Sequence, residues 1–324
     1  MGTVWQNDKD RAVIMIRNFA PLAAAAFVAA CGGSPLNFGG TVPEPTPPGE
    51  IGEDAPITGI EVPEVVAQHL KTATYSPGAP TMQIDLRTLD GTPLAATYRR
   101  AAAFDAAGFE AYTVQETRSQ RQFLALFKRG AAVEAGVVAD GGQFVNYFGG
   151  ATFARLQPFT LPTPMTPAPT PSNPTPQPTL LATYTGGYIG VLNRGTAVPH
   201  PGTPFDPHRS DRVTGEVMMN ADFNAQNMSV NGGVRGRQVV DTGEALKDIF
   251  FEVTQITPQG AFSGVIKFDP RTVVGNYAGV FGGAGAAEVA GATILRPIEG
   301  DPTTREHGAF VLPKCAPGDA APCP

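Results

Sequence analysis

Tryptophan occurs once in this chain of 324 residues, cysteine three times and histidine four. Lys, Arg, Asp and Glu make up only 16 % of it and leave a formal net charge of −6. No basic stripe is present to neutralise phosphates, so nucleic acid is not an expected partner. The common catalytic and nucleotide signatures are missing as well. The run Gly282 to Gly285 lacks the G-x-G-x-x-G spacing, and neither G-x-S-x-G nor H-E-x-x-H occurs. His69, His200, His208 and His307 are scattered, and the pair in the proline-rich stretch, His200 and His208, has no cysteine or carboxylate at metal-ligand spacing. The expectation is solvated loop histidines, with no metal and no cofactor. Asp211, Glu216 and Asp222 fall on or beside one strand, where acid–base work would require facing geometry that a sequence does not supply. An enzyme is therefore the least favoured class.

Glycine and proline are plentiful, at 38 and 32 residues, while 42 % of the chain is hydrophobic. That balance predicts β-structure with many turns plus low-complexity linkers, in one large or two modest domains. After Lys9, Arg11 and Arg17 comes an uncharged, alanine-dominated run from Asn18 to Ala30. A basic start followed by a short apolar centre is the pattern of a secretory signal peptide, here residues 1–30, and the run is too short for a stable membrane span. Met15 serves equally well as its start. Val28-Ala29-Ala30-Cys31 resembles the bacterial lipobox, in which the cysteine is diacylated and becomes the first mature residue; the alternative is an ordinary signal with a chance cysteine. Two or three acyl chains anchor stably where one does not. Cleavage would also remove Trp5, so an aromatic site in the mature protein must use Tyr or Phe.

Residues 31–57 are polar and rich in glycine and proline, the composition of a flexible tether. Residues 58–157 read as a β-rich region. Pro63 to Leu70 suggests one short helix, with Pro63 in its first turn and Val66 and Leu70 on one face. Strands are expected at 82–89 and 94–104 around Asp90-Gly91, at 109–114 and 122–128, and at 132–138 and 144–148. Residues 158–179 hold nine prolines and read as a polyproline II spacer or exposed loop.

From residue 180 the pattern becomes regular. Runs at 183–192, 213–223, 228–238, 249–256, 261–268, 273–280, 288–295 and 307–312 are separated by turn signals, which predicts an all-β fold with an eight-stranded antiparallel up-and-down β-barrel over 180–315, behind a β-rich, handle-like region. Inward positions such as Val217, Met219, Phe251 and Phe262 look filled, which favours recognition by loops over a lumenal small-molecule cavity. Val273 to Leu295 is the closing hairpin, too rich in glycine for a helix. Curvature alone explains its glycines more readily than a ligand contact does. Cys315 and Cys323, the second within a tail at 316–324, are separated by proline and glycine and form either a local disulfide or half of a zinc site; an extracytoplasmic compartment favours the disulfide.

The runs Tyr184-Thr-Gly-Gly-Tyr188, Val213 to Phe223, Phe262-Ser-Gly-Val265, Tyr277 to Gly291 and Gly308-Ala-Phe-Val311 resemble the C-terminal barrel of the transferrin-binding protein B family of bacterial surface lipoproteins. The element around Phe281, Gly282, Gly283, Glu288 and Gly291, preceded by Tyr277 and Gly279, is similar to that family's barrel-closure motif, with Gly283 for a proline and Ala290 for the first closing glycine. The resemblance spans about 180–315 plus the lipobox. It implies an eight-stranded barrel on an outer-membrane, lipid-anchored and surface-exposed protein whose variable loops capture host iron proteins, haem proteins or complement regulators, and it carries over no binding residue. Two function classes follow. The first is a binding lipoprotein, held to the membrane through Cys31, that captures an extracellular protein or a haem- or iron-containing ligand through its loops, especially 193–212 and 158–179. The second is a structural, envelope-accessory lipoprotein with no captured ligand.

Overall fold

In the computed structural model, the described residues are 60–166 apart from 88–92, 116–120 and 142–147; then 172, 175, 178–194, 210–226, 228–296, 304–316, 319 and 323. The expected signal, lipobox, Cys31 and tether lie outside them, as do His200, His208 and the turns at Asp90-Gly91 and Glu116 to Ser119. Residues Glu50–Pro324 form one unit, and its architecture is all-β.

Seven antiparallel strands come first: β1 (Leu70–Thr74), β2 (Thr81–Arg87), β3 (Pro93–Arg100), β4 (Glu110–Val114), β5 (Phe123–Arg129), β6 (Val133–Asp140) and β7 (Gly149–Arg155). They pair strictly in chain order. The sheet curls until it nearly closes: the His69 amide, just ahead of β1, donates to the Gly149 carbonyl of β7 at 3.1 Å. Helix α1 (Glu64–Ala67) lies against β7 and buries Val66. Inside the curl, Leu70, Met82, Ile84, Leu86, Tyr98, Tyr112 and Phe127 form one core.

Three sequence expectations need correction here. The helix is a single turn with Pro63 as its N-cap, and Leu70 belongs to β1, a strand the helical spacing had masked. The strand expected over 94–104 stops at Arg100, where the Arg100 guanidinium pairs with Asp105 at 2.5 Å across a 3-10 turn, Ala102–Phe104. The expected strand at 144–148 falls largely outside the described residues. The strand that pairs with β6 instead begins at Gly149, at the glycines read as its end.

The remaining strands are β8 (Leu181–Asn193), β9 (Asp211–Asp222), β10 (Ser229–Val239), β11 (Ile249–Gln255), β12 (Ala261–Asp269), β13 (Thr272–Gly282), β14 (Glu288–Leu295) and β15 (Arg305–Pro313). They close into a barrel in which β8 pairs with both β9 and β15. Closure leaves no unpaired edge. The up-and-down order fixes two ends. At the entry end β8 begins, β15 finishes and the β9–β10, β11–β12 and β13–β14 turns lie; at the far end lie the β8–β9, β10–β11, β12–β13 and β14–β15 connections.

The barrel and the curled sheet pack face to face. Ile189 and Val191 of β8, Ala278 and Val280 of β13, Ala290, Ala292 and Ile294 of β14, and Ala309 and Val311 of β15 point out of the barrel onto Leu124, Leu126, Val137, Ala151 and Phe153 of the sheet. These strands are thus buried on both faces.

Candidate functional site

Among the described residues, large side chains fill the barrel lumen. At the entry end Phe281 is the hub of an aromatic cluster, with ring centroids 5.0 Å from Phe223, 5.3 Å from Tyr184 and 5.3 Å from Phe262. Phe159, from the connection between sheet and barrel, closes this end at 6.1 Å from Phe223. In the middle Tyr277 stacks on Phe251 at 4.6 Å and donates its hydroxyl to the Glu252 carbonyl at 2.5 Å. Burial holds the Tyr277 and Tyr184 phenols well above their ordinary range. At the far end the Arg237 guanidinium of β10 meets Glu306 of β15 at 2.6 Å, with both side chains buried. Tyr188 donates to the same carboxylate at 2.7 Å and lies 3.0 Å from the Thr293 hydroxyl. Burial opposes the Arg237 charge, but Glu306 holds the guanidinium above its ordinary value.

The barrel-closure residues fall on β13, the following turn and β14. Gly279 and Gly291 face each other across the ladder, and Phe281, Gly282 and Glu288 end it. A side chain at Gly291 would collide with the Phe310 ring. Gly283 has φ +79°, a left-handed turn position suited to glycine. Glu288 is part of a clasp between layers: its carboxylate accepts the Ala131 and Ala132 amides of the β5–β6 turn at 3.1 and 2.7 Å. Nearby, Arg155 donates to the Phe281 and Gln259 carbonyls at 2.7 and 2.5 Å, and Lys128 to Val311 at 3.3 Å. A disulfide joins Cys315 and Cys323, and the Cys315 amide donates to the Thr183 carbonyl, which pins the tail beside β8.

His200 and His208, read as solvated loop residues, lie outside the described residues; the two described histidines, His69 and His307, sit at the layer interface instead. His307 of β15 points out of the barrel into the packed layer interface and is 1 % exposed. Neither ring nitrogen has a hydrogen-bond partner, and burial pushes its pKa down to about 3. His69, from the opposite end of the chain, adjoins the same residue as His307: its Nδ1 lies 3.3 Å from the Gly149 nitrogen, and a side chain at Gly149 would press on the His307 ring. Burial lowers the His69 pKa too, with the Gly149 hydrogen bond acting against the shift. The three acidic candidates do not converge: Asp211 pairs with Arg194 at 3.2 Å, Asp222 accepts from the Asn224 amide, and Glu216 stands exposed on the outer wall. Among the described residues no three His, Cys, Asp or Glu side chains gather in a way that could hold a metal ion.

Outside, β9 to β12 form a wall with a groove of about 580 Å³, lined by Met218, Gly233, Phe250 and Val253 and flanked by Arg235 and Lys267. Phe250 and Val253 are 45 % and 60 % exposed. The register between β10 and β11 shifts between Val230 and Gly232, setting two β11 residues against one and turning Val253 outward. The only sequence signal for this groove was the Gly232-Gly233 pair. Of the two segments expected to carry recognition, the proline-rich one joins the start of β8 at the entry end and the other leaves β8 after Asn193 at the far end.

No protein-family profile and no curated protein matches this chain. Solved structures do. A transferrin-binding protein B from Haemophilus parasuis Hp5 is similar at 10 % identity and a TM-score of 0.36, over 74 % of this chain and 52 % of that one. The isotype 1 transferrin-binding protein B of serogroup B Neisseria meningitidis is similar at 15 % identity and 0.34, over 78 % and 42 %. The chain thus spans about half the length of these proteins. The haemoglobin receptor HpuA from Kingella denitrificans is similar at 14 % identity and 0.37, over 78 % and 85 %.

Proposed function

We propose that this chain is an outer-membrane lipoprotein, anchored through acylated Cys31, that binds an extracellular protein or an iron- or haem-containing ligand through its barrel loops. In this reading residues 1–30 are the signal, 31–57 the tether, 58–157 a handle, 158–179 a linker and 180–315 the binding barrel. The filled lumen carries the proposal. With aromatic rings at one end and the Arg237–Glu306 pair at the other, described side chains fill the barrel interior, which favours recognition by the loops and the outer wall over a lumenal small-molecule site. The lipobox-like Val28 to Cys31 and the disulfide both suit an extracytoplasmic protein.

The experiment is protease accessibility on intact cells, with an epitope inserted in segment 161–179 and an outer-membrane-permeabilised control. Digestion without permeabilisation is expected; pull-downs with transferrin and haemoglobin, the proteins named for the similar structures, then test for a ligand. Protection until permeabilisation would leave the envelope-accessory role in its place. Cys31→Ala is expected to release the protein from membranes, and retention after a high-salt wash would refute the anchor.

A further inference from the structure

The interface between sheet and barrel is held differently at its two ends. At the entry end it is held by the Glu288, Arg155 and Lys128 hydrogen bonds. At the far end the Ser210 hydroxyl bridges the Asp140 carbonyl and the Asn193 side chain at 2.5 and 2.6 Å. Beside that bridge the apolar layer is interrupted by His307, fully enclosed between β15 and the sheet with both ring nitrogens bare. An imidazole so placed is tolerated only while neutral, because a buried cation without a partner is far costlier than a buried neutral ring.

We propose that His307, with His69 beside it, is an acid-sensitive latch: protonation is compatible only with parted layers, so acidification opens the far end of the sheet–barrel interface while the Glu288 clasp acts as its hinge.

The groups facing the pair support this. Among the described residues, the charges acting on His307 are His69 from ahead of β1, Arg305 on its own strand and Arg296 at the end of β14, and all oppose protonation. Lys71 of β1 and Arg87 of β2 act on His69 in the same sense. The carboxylate at this end of β6, Asp140, is held by Arg121 at 2.8 Å and by the Phe148 amide at 2.9 Å. The sign follows directly. In the closed form the His307 pKa lies near 3, and in a parted, hydrated form it returns to its ordinary 6.5. The closed form is therefore unpenalised above pH 6.5 and loses ground steadily as pH falls from there toward 3. At pH 5.0 the parted fraction should exceed that at pH 7.5 by about 30-fold from His307 alone, and His69 adds in the same direction.

The test uses detergent-extracted protein carrying Ala309→Cys, a buried interface position two residues along β15, and measures thiol labelling by a dipyridyl disulfide at pH 7.5 and 5.0. Rates are divided by those of an exposed control, Asn231→Cys, after subtracting the labelling of protein with no added cysteine. The expected result is a rise of about 30-fold or more in that ratio on acidification, with the far-ultraviolet strand signal unchanged. The rise should disappear in His69→Leu/His307→Leu. Three outcomes overturn the proposal: no rise, a rise that survives the double substitution, or a rise that coincides with loss of strand signal, which is general acid unfolding. Should the double variant not fold, imidazole nitrogen spectra of the unaltered protein decide. A His307 ring that stays neutral in the closed form, while a second, protonated set grows in below pH 6.5, supports the latch; a single ring titrating near 6.5 overturns it.

Discussion

The two halves of the barrel wall are built on opposite rules. Strands β9 to β12 alternate, with Val213, Val217, Met219, Val234 and Phe251 inside and Glu216, Asn220, Arg235 and Glu252 outside. Strands β13 to β15 barely alternate, because Ala278, Ala290, Ala292 and Ala309 on their outer side are as buried as Tyr277, Phe281 and Phe310 on their inner side. A strand covered on both faces has no reason to carry polar residues. Small outward residues also let a second layer approach closely. The glycine- and alanine-rich hairpin is thus the record of two interfaces, one with the lumen and one with the curled sheet.

The comparison can be broken most sharply by placing a charge on each half. Ala292→Arg buries a guanidinium between layers and should prevent folding or cost more than about 4 kcal/mol, while Asn231→Arg on the outer wall should stay within about 0.5 kcal/mol, both read by urea unfolding. Glu306→Ala removes the link between the halves inside the lumen: Arg237 sits on the alternating half and Glu306 on the covered one. Stranding that arginine should cost roughly 3–5 kcal/mol. Glu288→Ala frees the Ala131 and Ala132 amides at the clasp, for an expected loss of about 1–3 kcal/mol and faster amide exchange in the β5–β6 turn. Phe250→Ser should be the mildest of these, with a melting temperature nearly unchanged, because the side chain is already half in water.

Much of the barrel was legible because turn dipeptides and period-two alternation mark most of its strands, and even the covered hairpin is bounded by glycines. The curled sheet was less so. β1 hid behind a proline that suggests a longer helix, and β7 opens on Gly149-Gly150, which read as a stop. His307 was the least legible feature, because Arg-Glu-His looks like a solvated strand end. Only the three-dimensional arrangement shows Glu306 turned into the lumen against Arg237 and His307 turned into the layer interface. Nor could spacing tell that the segments flanking β8 leave from opposite ends, since that follows from strand direction.

The pairing of β15 with β8 sets the timetable of assembly. The first barrel strand stays an open edge until Arg305 to Pro313 are delivered, so closure waits for the last of the eight strands. A chain interrupted before Arg305 would present two bare edges, on β8 and β14, and such edges invite pairing with other chains. Truncation before Arg305 should therefore yield aggregation rather than a smaller closed barrel.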